Sequence, residues 1–236
     1  MKIINKFFSS CSKLTRCFAL ALLAASLVSG LVSCKPSSDE DDNNEPEAYT
    51  AQPEHSRSCG AYALAYYLAK TEQIKYSEIE TTAEDIYTNG DVQFLEDTRA
   101  SITGVGNFDC SGYSDPARLK AYIDSNHLAT SATLKLISDD VANSDAEFIL
   151  ILLAAPSALN FNIPDENRID SFEDGFTGCD YCIEIVTSGS SSLHYVLTYK
   201  KGNEFYTRDP DDGKEYKRSD LESEYGFSNS GIFIKK

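Results

Sequence analysis

LHYVLTYKKGNEFYTRD, Leu193 to Asp209, is the stretch on which the fold turns. Two runs rich in β-branched and aromatic residues are separated by Lys201-Gly202, which reads as an antiparallel hairpin. With a two-residue loop at that pair, Lys200 faces Asn203, and six steps outward His194 stands opposite Asp209. Opposed residues on one face of such a ladder have Cβ atoms about 4.5–5.5 Å apart. A carboxylate at that distance holds the imidazole in one tautomer and stabilises its protonated form.

Strand patterns surround the hairpin. Cys182 to Thr187 (CIEIVT) alternates, Glu147 to Leu153 (EFILILL) is an apolar run of strand length, and Gly231 to Lys235 (GIFIK) reads as a last strand. Helix patterns come earlier. Cys59 to Lys70 (CGAYALAYYLAK) is small and apolar throughout, with no β-branched residue, and reads as a buried helix capped by Ser56 or Ser58. A second helix is expected from Ser77, with Glu80 completing a capping box, to about Gly90. A third opens at Ser114-Asp115-Pro116, with Pro116 suited to the first helical position. Helices followed by an antiparallel sheet make an α+β order, with Pro156 to Cys179 as a large loop across one edge.

The chain has 236 residues and 42% hydrophobic content, enough for one full-sized core. Its formal charge of −16 argues against a nucleic-acid surface built on summed basic charge. The cations Lys2, Lys6, Lys13 and Arg16 precede an apolar run from Phe18 to Val32, shorter than the roughly 20 residues a spanning helix needs. Residues 1–33 therefore read as a signal peptide. The run ends in Leu31-Val32-Ser33-Cys34, which resembles the bacterial lipobox and implies that Cys34 is lipidated. Residues 34–50 follow as an acidic tether with little apolar area to bury, expected to be disordered, and the domain is expected over 51–236. An acidic run after the lipidated cysteine resembles the surface-export signal of Bacteroidetes lipoproteins, which implies an outer-membrane anchor with the domain exposed outside. Without the four leader cations, 17 basic groups remain against 37 acidic ones, a charge of −20. Membrane attachment is then expected through acyl chains alone.

Cys59 stands in the first turn of its helix, where free backbone N–H groups and the helix dipole favour a thiolate. A thiol there, a strand-borne His194 and the acid Asp209 form the set that activates a sulfur nucleophile. The order Gln52, Ser58-Cys59-Gly60 opening an Ala-rich helix, His194-Tyr195-Val196 in a strand and Asp209-Pro210 after the next resembles papain-like cysteine peptidases. It is most similar to the branch that cleaves bacteriocin leader peptides, over most of residues 52 to 234. The resemblance implies a papain-like fold, Cys59 as nucleophile, His194 as general base and acid, and Asp209 as the group that orients the ring. It also implies that Gln52 donates to the oxyanion beside the Cys59 backbone N–H. The family glutamine stands six residues before the cysteine and Gln52 stands seven before, which leaves His55 as a competing donor. No transporter segment accompanies these motifs, which points to an external or envelope peptide as substrate.

Other motifs compete. Phe108-Asp109-Cys110-Ser111-Gly112 resembles the Asp-Cys-Ser-Gly motif of NlpC/P60-type cell-wall endopeptidases, which would make Cys110 the nucleophile; but Tyr113-Ser114-Asp115-Pro116 restarts the helix downstream, and Cys110 reads as an ordinary buried cysteine. Cys179 and Cys182 have C-x-x-C spacing and are expected to form a local disulfide rather than a metal site. The acids of Asp209 to Glu215 miss the alternate positions of a calcium loop, so a turn is expected. His127 falls at a helix end, where its charge meets the dipole. The expectation is a lipid-anchored thiol peptidase acting through an acyl-enzyme, with no cofactor, no metal and no obligate oligomer. An inactive peptidase-like binding module that uses Pro156 to Cys179 for recognition, and acyl transfer in place of hydrolysis, are the other readings of the same residues.

Overall fold

In the computed structural model, residues 45–94, 112–137, 165–188 and 192–236 are described below. The early helices are α1 (Cys59–Lys70), α2 (Ile79–Asn89) and α3 (Pro116–Ser125), and a short α4 (Phe172–Gly175) follows later. The strands are β1 (Ser131–Ile137), β2 (Arg168–Ile169), β3 (Tyr181–Ser188), β4 (Ser192–Lys201), β5 (Glu204–Arg208), β6 (Glu215–Lys217) and β7 (Tyr225–Lys235). They form one sheet in the order β2-β1-β7-β3-β4-β5-β6. All neighbours are antiparallel except β1 and β2. The chain is thus α+β.

The helix from Cys59 to Lys70 is buried at every position but its last. Its apolar side chains meet Ile183, Ile185, Leu193, Tyr195, Leu197 and Tyr199 of the central strands in the main core. Asp115 caps α3 by accepting from the N–H groups of Ala117 and Arg118, with Pro116 in the first turn, as the sequence predicts. The start of α2 differs from expectation. A 3-10 turn over Tyr76–Glu78 precedes it, and Glu78 rather than Glu80 reaches back, accepting from the Lys75 N–H at 2.9 Å.

The hairpin forms with a corrected register. Lys201 pairs with Glu204 and Leu197 with Arg208, so the loop is Gly202-Asn203, not Lys201-Gly202. Gly202 has φ +61°, and a turn that needs positive φ at its first central residue puts the glycine there. The slip from the expected pairing is two residues, and since side chains alternate with period two, His194 and Asp209 keep the same face.

That face is not solvated. Cys182 packs with Ile169, Phe172, Phe176 and Phe233, while Val186 and Val196 pack with Leu221, Tyr225 and Phe227. Between these clusters lies Glu184, fully buried, bonded to Arg218 at 2.6 Å and accepting from the Thr198 hydroxyl at 2.8 Å. The Arg218 guanidinium lies 4.1 Å from the ring centres of both Phe172 and Phe227. The segment read as a loop to Cys179 therefore contains, from 165 onward, a strand paired with β1 and a helix that fills this second layer.

The last strand is longer than GIFIK. It begins at Tyr225, and its pairing with β3 jumps from Ile185–Ser230 to Val186–Phe227. Ser228 and Asn229 form the bulge: Asn229 takes φ +55°, and the Ser228 hydroxyl donates to the Ile185 carbonyl at 2.6 Å. Residues 45–50, expected to be tether, are docked instead. Glu45 pairs with Lys70 at 2.7 Å and Arg208 at 3.1 Å, Tyr49 is buried, and its N–H donates to the Gly213 carbonyl at 2.8 Å. Gly213, at φ +72°, permits this approach, because a Cβ there would overlap the Tyr49 carbonyl. An aromatic ring and a carboxylate with two cationic partners outweigh the low apolar content of the segment. Among the described residues no helix is long and apolar enough to cross a membrane.

Residues 1–44, including Cys34, and the segments carrying Cys110 and Glu147 to Leu153 lie outside the described residues.

Candidate active site

The site is assembled where the first turn of α1 and the first residues of β4 line one cavity of about 430 Å³, with Gln52, Ser56, Tyr113 and Asp211 on its walls. Gly60 lets the helix start sit close to the segment before α3: a Cβ on it would lie 2.6 Å from Ser114 Cβ and Oγ. Ser58 occupies the N-cap position but makes no side-chain cap. Its hydroxyl pairs instead with that of Ser56 at 2.9 Å, so the expected serine cap is replaced by a serine pair. The first turn of α1 thus has no capping side chain from Ser58, and Cys59 in that turn lines the cavity.

Cys59, His194 and Asp209 come together, each at most 5% exposed. His194 Nε2 lies 2.8 Å from Asp209 Oδ1, which leaves Nδ1 for the thiol, and the imidazole is hydrogen-bonded to Cys59. Burial alone would depress the imidazolium, but the Asp209 hydrogen bond and the Cys59 sulfur overcome it and lift the His194 pKa to about 10. Burial likewise opposes the Asp209 carboxylate, yet His194, the Tyr225 hydroxyl and the Asp211 backbone N–H hold it below the usual range.

Asp209 is fixed by its own turn. Its Oδ1 accepts from the Asp211 N–H at 2.9 Å, its Oδ2 accepts from the Tyr225 hydroxyl at 2.5 Å, and its carbonyl accepts from the Gly213 N–H at 2.7 Å. The acidic stretch after Arg208 is a turn, as its spacing predicts. Among the described residues, donor atoms of His194, Asp209 and Asp211 lie within 4.8 Å of one another. Of these, His194 and Asp209 share the hydrogen bond just given.

Gln52 reaches the site. Its N–H donates to the Pro210 carbonyl at 2.8 Å, its side-chain amide donates to Asp211, and its Oε1 accepts from Ser56 Oγ at 3.2 Å. Between Gln52 and Cys59 the chain makes a turn, closed by the Ser56 N–H on the Pro53 carbonyl at 3.0 Å, in which His55 adopts φ +61°. His55 also lines the cavity, but its ring is 90% exposed and pairs with Glu54 at 3.3 Å.

Cys179 and Cys182 are both free thiols, so the expected disulfide is not formed. Cys182 points from β3 into the phenylalanine cluster while Cys179 sits half-buried at its edge, and burial pushes both thiols up. His127 follows α3 at φ +54° and lies outside the cavity lining.

Two contributors escape the sequence reading. Tyr225 has no local signal, being one of 14 tyrosines at the start of a strand whose first half was not evident. Asp211 could have been found, since a slip of two in the hairpin register carries His194 from Asp209 to a place opposite Asp211. No family model, no curated protein and no solved structure matches this chain.

Proposed function

We propose that this protein is a thiol peptidase of papain-like fold that hydrolyses peptide bonds through an acyl-enzyme. The observation that carries the reading is the chain of contacts from Cys59 through the His194 imidazole to Asp209, buried at the open first turn of a helix. The imidazole takes the thiol proton, the helix end and the imidazolium stabilise the thiolate, and the sulfur attacks the scissile carbonyl. His194 then returns its proton to the leaving amine, and water activated by the same imidazole releases the acid. The Cys59 N–H and the Gln52 amide supply the oxyanion donors once Gln52 turns from Asp211. Acyl transfer to another nucleophile would use the same groups.

His194 is engaged by Cys59, which favours this thiol over Cys110 and the cell-wall endopeptidase reading. One observation favours an inactive binding module: the Gln52 amide is occupied by the Asp211 carboxylate. The proposed setting is the outer membrane, with the protein held by lipid on Cys34 and its domain exposed.

Incubation with a mixed peptide library, read by mass spectrometry, tests the proposal. New termini that appear with the intact protein and vanish with Cys59→Ala support it; an unchanged library with a folded protein leaves the binding module.

A further inference from the structure

We infer that Tyr225 is a positioning residue of this site, whose hydroxyl holds the Asp209 carboxylate so that Asp209 in turn holds the His194 ring. The inference rests on the reading of Cys59, His194 and Asp209 as an activating triad and adds a fourth member to it.

The two oxygens of Asp209 are unequally supported. Oδ1 is shared by His194 Nε2 at 2.8 Å and the Asp211 N–H at 2.9 Å, whereas Oδ2 receives the Tyr225 hydroxyl at 2.5 Å. Rotation of the carboxylate about its terminal bond would break the His194 contact, and the tyrosine is the side chain that opposes it. The same tyrosine packs its ring 5.4 Å from that of His194, inclined by 31°. It therefore touches both ends of the His–Asp pair, one by a hydrogen bond and one by a face.

The fold holds Tyr225 rigidly enough for this work. It is 6% exposed and packed with Val186, Val196, Leu221 and Phe227. The Ser228-Asn229 bulge shifts the pairing of β7 so that Tyr225 lies beside Ser188, at the end of the ladder. The charged groups acting on it are Asp209, Asp211 and Glu224, all acids, which together with burial keep the phenol protonated as a donor. The Asp209 charge also acts on the buried Tyr66 of α1, which burial and this charge keep protonated.

Replacement of Tyr225 by Phe keeps the ring and removes the donor. Oδ2 is then buried without its partner, so the carboxylate turns toward water or takes up a proton, and its hold on imidazolium weakens. Two measurements test this. In the Cys59→Ser protein, the His194 titration followed by ¹⁵N NMR is expected to shift down by about one pH unit when Tyr225→Phe is added, a tenfold change in the equilibrium. With Cys59 intact, the rise of iodoacetamide labelling with pH is expected to shift up by about the same amount, because the thiolate loses its counter-ion. A His194 midpoint that is unchanged or raised, with or without a lower melting temperature, would show a merely structural tyrosine and overturn the inference. Absence of fast labelling in the wild type would defeat the thiol reading instead, while the NMR comparison would still decide the role of Tyr225.

Discussion

His194 and Asp209 meet at 2.8 Å although the ladder joining their strands stops at Leu197–Arg208, three residues short of the histidine. The contact is made beyond the regular sheet. Asp209 begins a tight turn that returns to the Gly213 N–H, and this turn aims the carboxylate back across the gap. The contact depends on a few fixed side chains around one residue of irregular backbone, and each of them can be removed singly.

Removal of the imidazole should cost the most after loss of the thiol. His194→Ala is expected to lower kcat by roughly 10²–10⁴-fold, the usual range for general acid–base catalysis, with a smaller change in KM. Initial rates on any peptide found in the library experiment check it. A variant within a few-fold of wild type would show that His194 transfers no proton in the slow step.

The pair should shape stability as well as chemistry. The raised pKa of His194 stabilises the fold fully below 6.5, its ordinary value, and that contribution is lost as pH rises toward about 10. The lowered pKa of Asp209 works at the other end, present above 3.8 and lost as pH falls through the folded value. The stability margin of wild type over Asp209→Asn should therefore be widest between 3.8 and 6.5 and narrow on either side. Urea unfolding at a series of pH values measures it, and a flat margin would contradict the assignment.

Much of this site was legible in the sequence because its parts are local. The helix over Cys59–Lys70 has the predicted bounds, since an unbroken run of small and apolar residues has few other uses. The His–Asp face was also legible, and it survived a wrong register because the slip was even. Long-range features were not legible. Ser131–Ile137 is a strand held by pairing with the last strand of the chain and with Arg168–Ile169. Glu184 stands in an alternating run that gives no sign of a second layer, yet it is buried under one supplied by Phe172, Phe227 and Arg218. Nothing near Tyr225 in the sequence indicates that a bulge will carry it to Asp209.

The buried ion pair beneath the sheet gives an independent check on the fold. Arg218→Met leaves the Glu184 carboxylate fully buried without its cation, which should cost about 3–5 kcal/mol. Replacing Glu184 by Leu in the same protein should recover most of the loss. Denaturant midpoints of the two variants measure this, and a mild single-variant effect would mean that the second layer is open to water.

Gly60 is predicted to matter for shape alone. An alanine would place its Cβ 2.6 Å from Ser114, and the resulting overpacking should cost about 1–3 kcal/mol and displace Cys59. Adding Ser114→Gly should restore both the melting temperature and thiol reactivity. Failure of that rescue would place the strain elsewhere.

Gln52→Ala should reduce kcat by about 10²–10³-fold, as loss of one oxyanion donor does, with KM little altered. If His55→Ala gives that loss and Gln52→Ala does not, the donor assignment passes to His55.

Whether Cys59 is an activated thiol is decided by the pH dependence of iodoacetamide alkylation, compared across wild type, Cys59→Ser, Cys110→Ser and His194→Ala. Rapid labelling below pH 7 is expected, disappearing with Cys59→Ser, slowing with His194→Ala and persisting with Cys110→Ser. Slow labelling with an ordinary thiol midpoint, or rapid labelling lost with Cys110→Ser, would contradict it.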